Sequence, residues 1–440
     1  MNAASLFVDA AKRVPDRVAF FEGETAITFA ELLMRIEREQ ERLALQPGAR
    51  AILMLPMSIE LYVALLAVLQ SNAIAVFIDP WVGLRTIVKL ARAAGPRRVI
   101  GGWKTLVLRA LIAGAKPIRD ERADVALITF TTGSSGNPKG VIRTHHILAA
   151  QHERLAEAFP AREGDVDLCT FPVFALNNLA LGVPTVIPPI DLRRVADADP
   201  MLVASHMTKR GVTTVSASPP LFDRLASLAS PPPLRRVLTG GAPVTDAQLR
   251  AWMRAWPDAE IEIAYGSSEA EPVAHISARE RLAAGGRGYL AGTIVAGVRA
   301  KIDPMASDGI GELLVAGDHV CREYVNAPAE GEWHRMGDTG WFDEEGRFRI
   351  AGRVHSHTHT QLIERAARGD DPRIRNVAAF GVEGKVIVIV ESSDDVANDV
   401  RARVQEFSVD DVRVTREKLP VDPRHNAKID YAALKRRNGT

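Results

Sequence analysis

An apolar strand that runs directly into a loop of glycines, hydroxyls and one lysine is the first feature of this sequence suited to chemistry. The run is Leu127-Ile-Thr-Phe-Thr-Thr-Gly-Ser-Ser-Gly-Asn-Pro-Lys-Gly-Val141. Its candidate anion-binding residues are Thr131, Thr132, Gly133, Ser134, Ser135, Gly136 and Lys139. Glycines let backbone N–H groups approach an anion, hydroxyls add donors, and a lysine adds a point charge. The loop is not a Walker loop, because Lys139 is followed by Gly140 and not by Ser or Thr. We predict a phosphate cradle, with a flexible surface loop as the alternative.

Two further segments place small or polar residues directly after short apolar strands. Thr239–Val244 contains Gly241, Ala242 and Pro243, and taken alone it could be a tight turn. Ile261–Ala270 ends in Tyr265, Gly266, Ser267, Ser268 and Glu269. An aromatic ring there suits stacking on a flat ligand, and the carboxylate suits a metal or a hydroxyl. A plain turn remains the alternative for this segment as well.

The C-terminal third holds a carboxylate and a lysine of interest. Arg335–Arg353 reads as a hairpin with its turn at Asp343–Gly346, and within it Asp338 suits the hydroxyls of a ribose. An ordinary turn aspartate is the alternative. Lys428 precedes the last predicted helix, in a chain with 11 Lys against 44 Arg. Near a helix start a lysine is more often a solvated charge than a catalytic group.

Alternating helix and strand signals must position these residues. The first 125 residues and the stretch that follows them alternate apolar strands with helices, including a helix opened by a capping box at Thr28 and Glu31 and another capped by Ser58. This alternation predicts an α/β fold with a mostly parallel sheet covered by helices. After Arg353 the composition of the sequence changes: a polar segment that contains histidines is followed by the pattern of a small α+β unit. We therefore predict two domains, residues 1–353 and 354–440.

The composition excludes several classes of protein. The 440 residues are 47% hydrophobic and 25% charged, which is typical of a globular protein. The formal net charge is +1, so the chain lacks the excess of basic residues expected of a nucleic-acid-binding protein. The two cysteines, Cys169 and Cys321, cannot form a disulfide framework, so a reducing cytoplasm is expected. The longest apolar run, Leu61–Leu69, is far shorter than the ~18 residues of a membrane span.

Taken together and in this order, the segments resemble the adenylate-forming superfamily of acyl-CoA synthetases, luciferases and peptide-synthetase adenylation domains. The resemblance implies a large N-terminal domain with layered sheets and a small β subdomain, a small mobile C-terminal lid, and ATP and Mg²⁺ as cofactors. It implies that Thr132–Lys139 handles the β- and γ-phosphates of ATP. Gly241, Ala242 and Pro243 would line the adenine pocket, and Tyr265 would stack on the base. Ser268 would lie near the α-phosphate, where the family usually has threonine, and Glu269 would bind the metal. Asp338 and Arg353 would hold the ribose, and Lys428 would act in adenylation.

Within that superfamily the chain most resembles the β-lactone synthetases of bacterial olefin biosynthesis. The residues that carry this are Phe77–Pro80, Phe171–Leu176, Ala180–Pro184, Ala217–Leu225 and Pro420–Lys428. The resemblance implies activation of a carboxylic acid to an acyl-adenylate, followed by closure of a β-hydroxyacyl-AMP to a β-lactone. Phe174 and Leu176 are expected in the wall of an apolar acyl pocket.

Two alternatives stay open at this point. One is a ligase that passes its acyl-AMP to CoA, a carrier protein or an amine. However, His355–Gln361 stands where CoA ligases carry a glycine-bearing loop, which weakens that reading. The other is a non-catalytic nucleotide-binding relative, which the joint retention of Lys139, Glu269, Asp338 and Lys428 argues against.

Overall fold

The computed structural model describes residues 2–78, 83–102, 104–114, 116–118, 122, 124–132, 138–304, 309–325, 329, 331–354, 359–422 and 427–437. Of the residues singled out above, Gly133, Ser134, Ser135 and Gly136 lie outside these ranges, as does most of the polar segment after Val354.

The helices begin where the sequence supplies caps. Thr28 and Glu31 form the expected capping box, and the hydroxyl of Ser58 accepts a hydrogen bond from the Leu61 N–H. The helices are α1 Ala4–Arg13, α2 Phe29–Leu43, α3 Ile59–Gln70, α4 Leu84–Ala94, α5 Lys104–Leu111, α6 His145–Ala158, α7 Pro172–Leu181, α8 Pro200–Arg210, α9 Pro219–Ala226, α10 Asp246–Ala255, α11 Ala278–Ala284, α12 Thr360–Arg368, α13 Ala397–Arg403 and α14 Tyr431–Arg437.

The strands follow the short apolar runs of the sequence. They are β1 Val18–Glu22, β2 Thr25–Thr28, β3 Arg50–Met54, β4 Ile74–Ile78, β5 Arg98–Gly101, β6 Val125–Thr132, β7 Pro138–Thr144, β8 Asp167–Cys169, β9 Thr185–Ile187, β10 Thr214–Ala217, β11 Arg236–Gly240, β12 Glu260–Tyr265, β13 Ala274–Ser277, β14 Tyr289–Ile294, β15 Arg299–Pro304, β16 Gly311–Ala316, β17 His334–Phe342, β18 Phe348–Arg353, β19 Ile374–Val382, β20 Lys385–Ser392 and β21 Asp411–Thr415.

Two sheets form the part of the chain that carries most of the candidate residues. The larger has the order β15-β16-β17-β18-β14-β13-β12-β11-β10-β8-β9-β1-β2, and the smaller has the order β5-β3-β4-β6-β7. Strands β8 to β12 pair in parallel with one another, as do β3 to β6, which confirms the predicted α/β class. The antiparallel strands β14 to β18 continue the larger sheet, so the expected small β subdomain shares one hydrogen-bonded sheet with the parallel strands.

The last part of the chain has its own sheet, β19-β20-β21, and its own apolar core. One buried cluster there, from Ile363 to Val412, and a second, from Ala378 to Leu434, contain only residues from this region. A third cluster joins the two regions, because Leu362 packs with Ile310 and Ala351. The division at residue 353 stays a prediction that these separate cores favour.

Candidate functional site

The carboxyl ends of the parallel strands β11 and β12 lie side by side at the centre of the larger sheet. Gly240 is in register with Ala264, and a Cβ on Gly240 would approach the Ala264 carbonyl oxygen at 2.7 Å. Only glycine therefore lets the two strand ends come so close. The next residue, Gly241, has a φ of +74°, which turns the chain into Ala242 and Pro243. The structure thus places the predicted adenine-binding turn beside Tyr265.

Tyr265, Asp338 and Arg353 form one hydrogen-bonded group at this point. The Tyr265 hydroxyl donates to Asp338 Oδ2 at 2.8 Å, and Arg353 Nη1 donates to Asp338 Oδ1 at 2.7 Å. Asp338 and Arg353 face each other across the hairpin of β17 and β18, and Asp338 is only 8% exposed. The two donors occupy one carboxylate oxygen each, so the carboxylate is held in a fixed orientation.

Tyr265 and Arg353 both stay protonated, as their hydrogen bonds to Asp338 require. Burial, and then the nearby Asp338 carboxylate, raises the pKa of Tyr265 well above its usual value, so the phenol stays a donor. The attraction of Asp338 raises the pKa of Arg353. The structure brings Tyr265 together with Asp338 and Arg353 as predicted, although the Tyr265 ring also packs on Phe348 at a centroid distance of 5.6 Å.

The turn after Tyr265 is held by its own residues. A Cβ on Gly266 would meet the Ala270 carbonyl oxygen at 2.7 Å, and the Ser267 N–H donates to that same oxygen at 2.7 Å. The Ser267 hydroxyl accepts from the N–H groups of Glu269 at 3.3 Å and of Ala270 at 3.2 Å. Ser267 therefore shapes the turn, as serine does in local side-chain-to-backbone motifs, and Ser268 and Glu269 are presented from it.

The predicted phosphate cradle lies in the smaller sheet, between β6 and β7. Thr131 is in register with Lys139 and Thr132 with Pro138, so the loop of residues 133–137 joins the two strands as a hairpin. The Lys139 side chain is exposed, with Nζ 5.2 Å from the centroid of the Tyr324 ring. This continuation of the loop into a strand was not predicted.

Two links that sequence reasoning missed join the cradle to the Glu269 turn. Arg143, on β7, donates hydrogen bonds to Thr129 Oγ1 and to the carbonyl oxygen of Ser268. The segment from Cys321 to Val325 bonds to both sides: the Cys321 N–H donates to the Glu269 carbonyl at 2.8 Å, and the Val325 N–H donates to the Gly140 carbonyl at 2.8 Å. No local spacing in the sequence points to either link, because each joins residues that are far apart in the chain.

The backbone of Lys428 is hydrogen-bonded to Asp422. Asp422 Oδ1 accepts from the Lys428 N–H at 2.9 Å and from the Ala427 N–H at 3.3 Å, and the Asp422 N–H donates to the Lys428 carbonyl at 2.7 Å. The Lys428 side chain is exposed. Its role in adenylation stays a prediction.

The two predicted acyl-pocket residues point to different cavities. Phe174 is 5% exposed and lines a cavity beside Asp167, Thr214 and Ser216, whereas Leu176 lines a second cavity between α1, α3, α6 and α7. In the first cavity, burial raises the pKa of Asp167 to about 6 against hydrogen bonds from Asn178, Thr214 and Ser216. The structure therefore does not bring Phe174 and Leu176 into one wall, and their contact with a substrate stays a prediction.

The residues at the strand ends fit a nucleotide. The hydroxyl of Thr239, directly before Gly240, is buried and has no hydrogen-bond partner among the described residues. A buried hydroxyl without a partner costs free energy unless a ligand or water satisfies it. For a metal, the described part of the chain contains no group of three or more His, Cys, Asp or Glu side chains that is placed to hold an ion. A divalent ion there would depend on Glu269 together with phosphate oxygens, the usual coordination of Mg²⁺ in nucleotide sites.

A comparison with protein families identifies the family to which a chain with this site belongs. The family model described as AMP-binding enzyme matches residues 7–325. The chain belongs to the AMP-binding enzyme family. The match includes the hairpin of β6 and β7, the β11 and β12 strand ends and the Glu269 turn, whereas Asp338, Arg353 and Lys428 lie beyond it.

Several members of this family are similar to the chain over most of its length. The olefin beta-lactone synthetase of Xanthomonas campestris pv. campestris is 31% identical, over 93% of this chain and 90% of that protein. The olefin beta-lactone synthetase of Stenotrophomonas maltophilia is 32% identical, over 88% of this chain and 86% of that one. The structure of O-succinylbenzoate coenzyme A synthetase from Bacillus subtilis in complex with AMP superimposes with a TM-score of 0.80 at 20% identity, covering 98% of each chain.

These similarities confirm the adenylate-forming fold and an AMP-forming acid ligase that makes an acyl-adenylate. Enzymes of this kind use ATP. Among the described residues no helix is long and apolar enough to cross a membrane.

Proposed function

We propose that this AMP-binding family member converts a β-hydroxy carboxylic acid to its acyl-adenylate and then to a β-lactone. The observation that carries the proposal is similarity to two olefin beta-lactone synthetases across about nine tenths of the chain. The group formed by Tyr265, Asp338 and Arg353 supports nucleotide binding where β11, β12 and β18 end.

In the first step, a carboxylate oxygen of the acid attacks the α-phosphorus of ATP. The new bond is an acyl–phosphate bond, and the bond between the α-phosphorus and the bridging oxygen breaks, releasing pyrophosphate. Both partners are anions, so the chain must supply positive charge and alignment. We give that role to Lys139 on β7 and to Lys428, whose backbone is hydrogen-bonded to Asp422.

In the second step, the substrate's own β-hydroxyl attacks the acyl carbon. The hydroxyl proton is lost to solvent or to a base, the bond to the AMP oxygen breaks, and AMP leaves together with the four-membered lactone. The acceptor is part of the substrate, so this route needs no CoA and no carrier protein. The absence from the sequence of a glycine-bearing loop after Arg353 agrees with such a route.

The remaining residues hold the nucleotide and the metal in this proposal. Gly241, Ala242 and Pro243 line the adenine pocket beside Tyr265, Asp338 holds the ribose hydroxyls with Arg353 behind it, and Glu269 holds Mg²⁺. When bound, Mg²⁺ neutralises phosphate charge. The region after residue 353 acts as a lid that carries Lys428 in and out.

The expected setting is the cytoplasm. Cys169 and Cys321 are both free and buried, and burial raises the pKa of each thiol, so neither is poised to react. Such thiols suit a reducing compartment.

A pyrophosphate-release screen over carboxylic acids, with and without CoA and with products identified by mass, tests the proposal. Release with β-hydroxy acids alone, together with a product that has lost one water relative to the acid, is the expected result. The matched control is the same acid without its β-hydroxyl, which should stop at the acyl-adenylate. A strict requirement for CoA would instead establish a ligase, and silence with every acid would establish a non-catalytic relative.

A further inference from the structure

The segment from Gly83 to Ile118 is the most one-sided in charge of any part of this chain. It contains Lys or Arg at positions 85, 89, 92, 97, 98, 104, 109 and 116 and no Asp or Glu at all. The chain as a whole is balanced, with 55 basic and 54 acidic residues. The nearest carboxylates in the sequence are Asp79 before the segment and Asp120 after it.

The two helices of this segment lie side by side on one face of the smaller sheet. Arg92 Nη2, on α4, donates to the carbonyl oxygen of Leu111, the last residue of α5, at 2.7 Å. The Ile118 N–H donates to the Gly95 carbonyl at 2.7 Å, which ties the chain after α5 to the end of α4. The inner faces of both helices share one core cluster, which includes Leu90 and Leu108. Helices α4 and α5 therefore form a continuous outer surface, which we call the α4–α5 face.

This face is apolar as well as basic. Leu106 on α5 is 63% exposed and Leu84 on α4 is 62% exposed. Val107, Leu111 and Ile118 add three more exposed aliphatic side chains. Five of the eight large hydrophobic residues that are exposed in the described structure thus belong to one segment. Exposed aliphatic side chains gathered in this way mark a surface that binds something, whereas single ones are ordinary.

The positive charges of the face are available to a partner. Seven basic side chains of the segment are exposed. Four of them are on the two helices, namely Arg85, Lys89, Arg92 and Arg109, and the other three, Arg97, Arg98 and Lys116, lie outside the helices. Within the described ranges, none of the recorded ion pairs includes any of them. Arg92 and Arg109 donate only to backbone carbonyls, Arg109 to that of Val99. Their charge is therefore not neutralised by carboxylates of the described chain.

We propose that the α4–α5 face binds the surface of an anionic phospholipid bilayer. Leu106, Val107 and Leu111 would enter the boundary between headgroups and acyl chains, and the basic side chains around them would meet the phosphates. A helical face that combines aliphatic residues with lysine and arginine is the sequence type that lies in a membrane interface. Each basic residue near an anionic surface adds about 1 kcal/mol to the attraction.

A bilayer fits this face better than an acidic protein does. The fully buried centres of protein interfaces are enriched in aromatic residues and depleted of lysine. The exposed apolar residues of this segment are leucine, valine and isoleucine, and Lys89 and Lys116 are exposed in the same segment. Long basic side chains on mobile stems suit a fluid array of phosphates more than a fixed set of carboxylates.

Sedimentation of the purified full chain with vesicles tests the proposal, and it requires no knowledge of the reaction. Binding is expected to vesicles of phosphatidylglycerol and phosphatidylcholine, weakly or not at all to phosphatidylcholine alone, and less as salt is raised. The double variant Leu106→Glu/Leu111→Glu should lose at least about tenfold in vesicle affinity, because it loses apolar contact and gains repulsion.

A matched control uses the other exposed apolar pair of the chain. Met201 and Leu202, at the start of α8, are 66% and 49% exposed, and Met201→Glu/Leu202→Glu adds the same charge. This variant should bind vesicles as the parent chain does. Both variants should melt like the parent and release pyrophosphate at the same rate without lipid. Equal binding by the α5 variant, equal loss by the α8 variant, or binding to poly-glutamate but not to vesicles would overturn the proposal.

Discussion

The hydroxyl of Tyr265 donates a 2.8 Å hydrogen bond to the carboxylate of Asp338, although the two residues are 73 positions apart in the chain. Asp338 also accepts a hydrogen bond from Arg353 Nη1 at 2.7 Å, so one buried carboxylate connects the end of β12 to the β17–β18 hairpin. This carboxylate thus links the parallel strand β12 to the antiparallel strands β17 and β18, and the proposed nucleotide site depends on it.

Tyr265→Phe should raise the KM for ATP about tenfold in acid-dependent pyrophosphate release. The phenylalanine keeps the ring but leaves Asp338 with one donor fewer, and a hydrogen bond to a charged group contributes about 1.5 kcal/mol or more. Tyr62→Phe is the matched control, because its buried hydroxyl bonds to the Pro172 carbonyl at 3.2 Å, in another part of the molecule. An unchanged KM in Tyr265→Phe would separate this tyrosine from the nucleotide.

Lys428→Ala should abolish pyrophosphate release while ATP binding survives, because the ammonium acts on the reacting groups and not on the base or ribose. Isothermal titration with ATP and a release assay on the same preparation distinguish the two effects. Asp422→Ala should give a weaker version, with kcat lowered about tenfold and the KM for ATP unchanged, since it removes the side-chain acceptor of the Ala427 and Lys428 N–H groups while leaving the Lys428 side chain present. Normal release by Lys428→Ala would remove this lysine from the mechanism.

Local patterns in the sequence were sufficient for most elements and for the turns that follow β11 and β12. The helix predicted to be capped by Ser58 begins at Ile59 with that serine as its cap, and the Thr28 capping box is present. These features depend on neighbours in the chain, such as a hydroxyl three residues before a glutamate or an apolar run between glycines.

Features that depend on distant partners could not be read in the same way. The contact of Arg143 with the Ser268 carbonyl joins residues 125 positions apart, and no local spacing encodes it. Helix α12 was also missed, because its polar N-terminal neighbours resemble a loop. Its apolar residues at 362, 363, 366 and 367 do carry a helical period that a longer window would have detected.

Arg365→Gln should loosen the region after residue 353 from the larger sheet. Arg365 Nη2, on α12, donates to Asp246 at 2.8 Å, and Nη1 donates to the Gly288 carbonyl. Both partners belong to the N-terminal region, and the Arg365 side chain is largely buried. The partly buried ion pair between Arg365 and Asp246 contributes about 1–2 kcal/mol to the stability of this contact. Its loss should therefore speed amide hydrogen exchange in α12 roughly fivefold to thirtyfold.

Arg250→Gln is the control for that experiment. Arg250 also reaches across to the C-terminal region, to Asp370, but both side chains are exposed. Exposed pairs contribute little, so exchange in α12 should stay close to that of the parent. Equal acceleration by the two variants would show that burial of the Arg365 pair has no special effect.

Glu364→Gln should make the chain more stable than the parent at high pH, and the difference should vanish at low pH. Glu364 is buried, which raises its pKa to about 7, although hydrogen bonds from Tyr431 and from the Ala379 N–H oppose the shift. The unfolded chain releases this proton near 4.5, whereas the folded chain holds it until about 7. The folded state therefore loses stability as pH rises between those values, by up to about 3 kcal/mol, and the loss persists above them.

Glutamine keeps a carbonyl acceptor for Tyr431 and Ala379 and carries no charge, so it removes this dependence. Thermal melts of both chains at several pH values from about 5 to about 8 measure the effect, because linkage predicts a widening gap over that range. Glu406→Gln, at an exposed glutamate of the same region, should show no such trend. A gap between Glu364→Gln and the parent that stays constant with pH would mean that the carboxylate is already ionised in the folded chain.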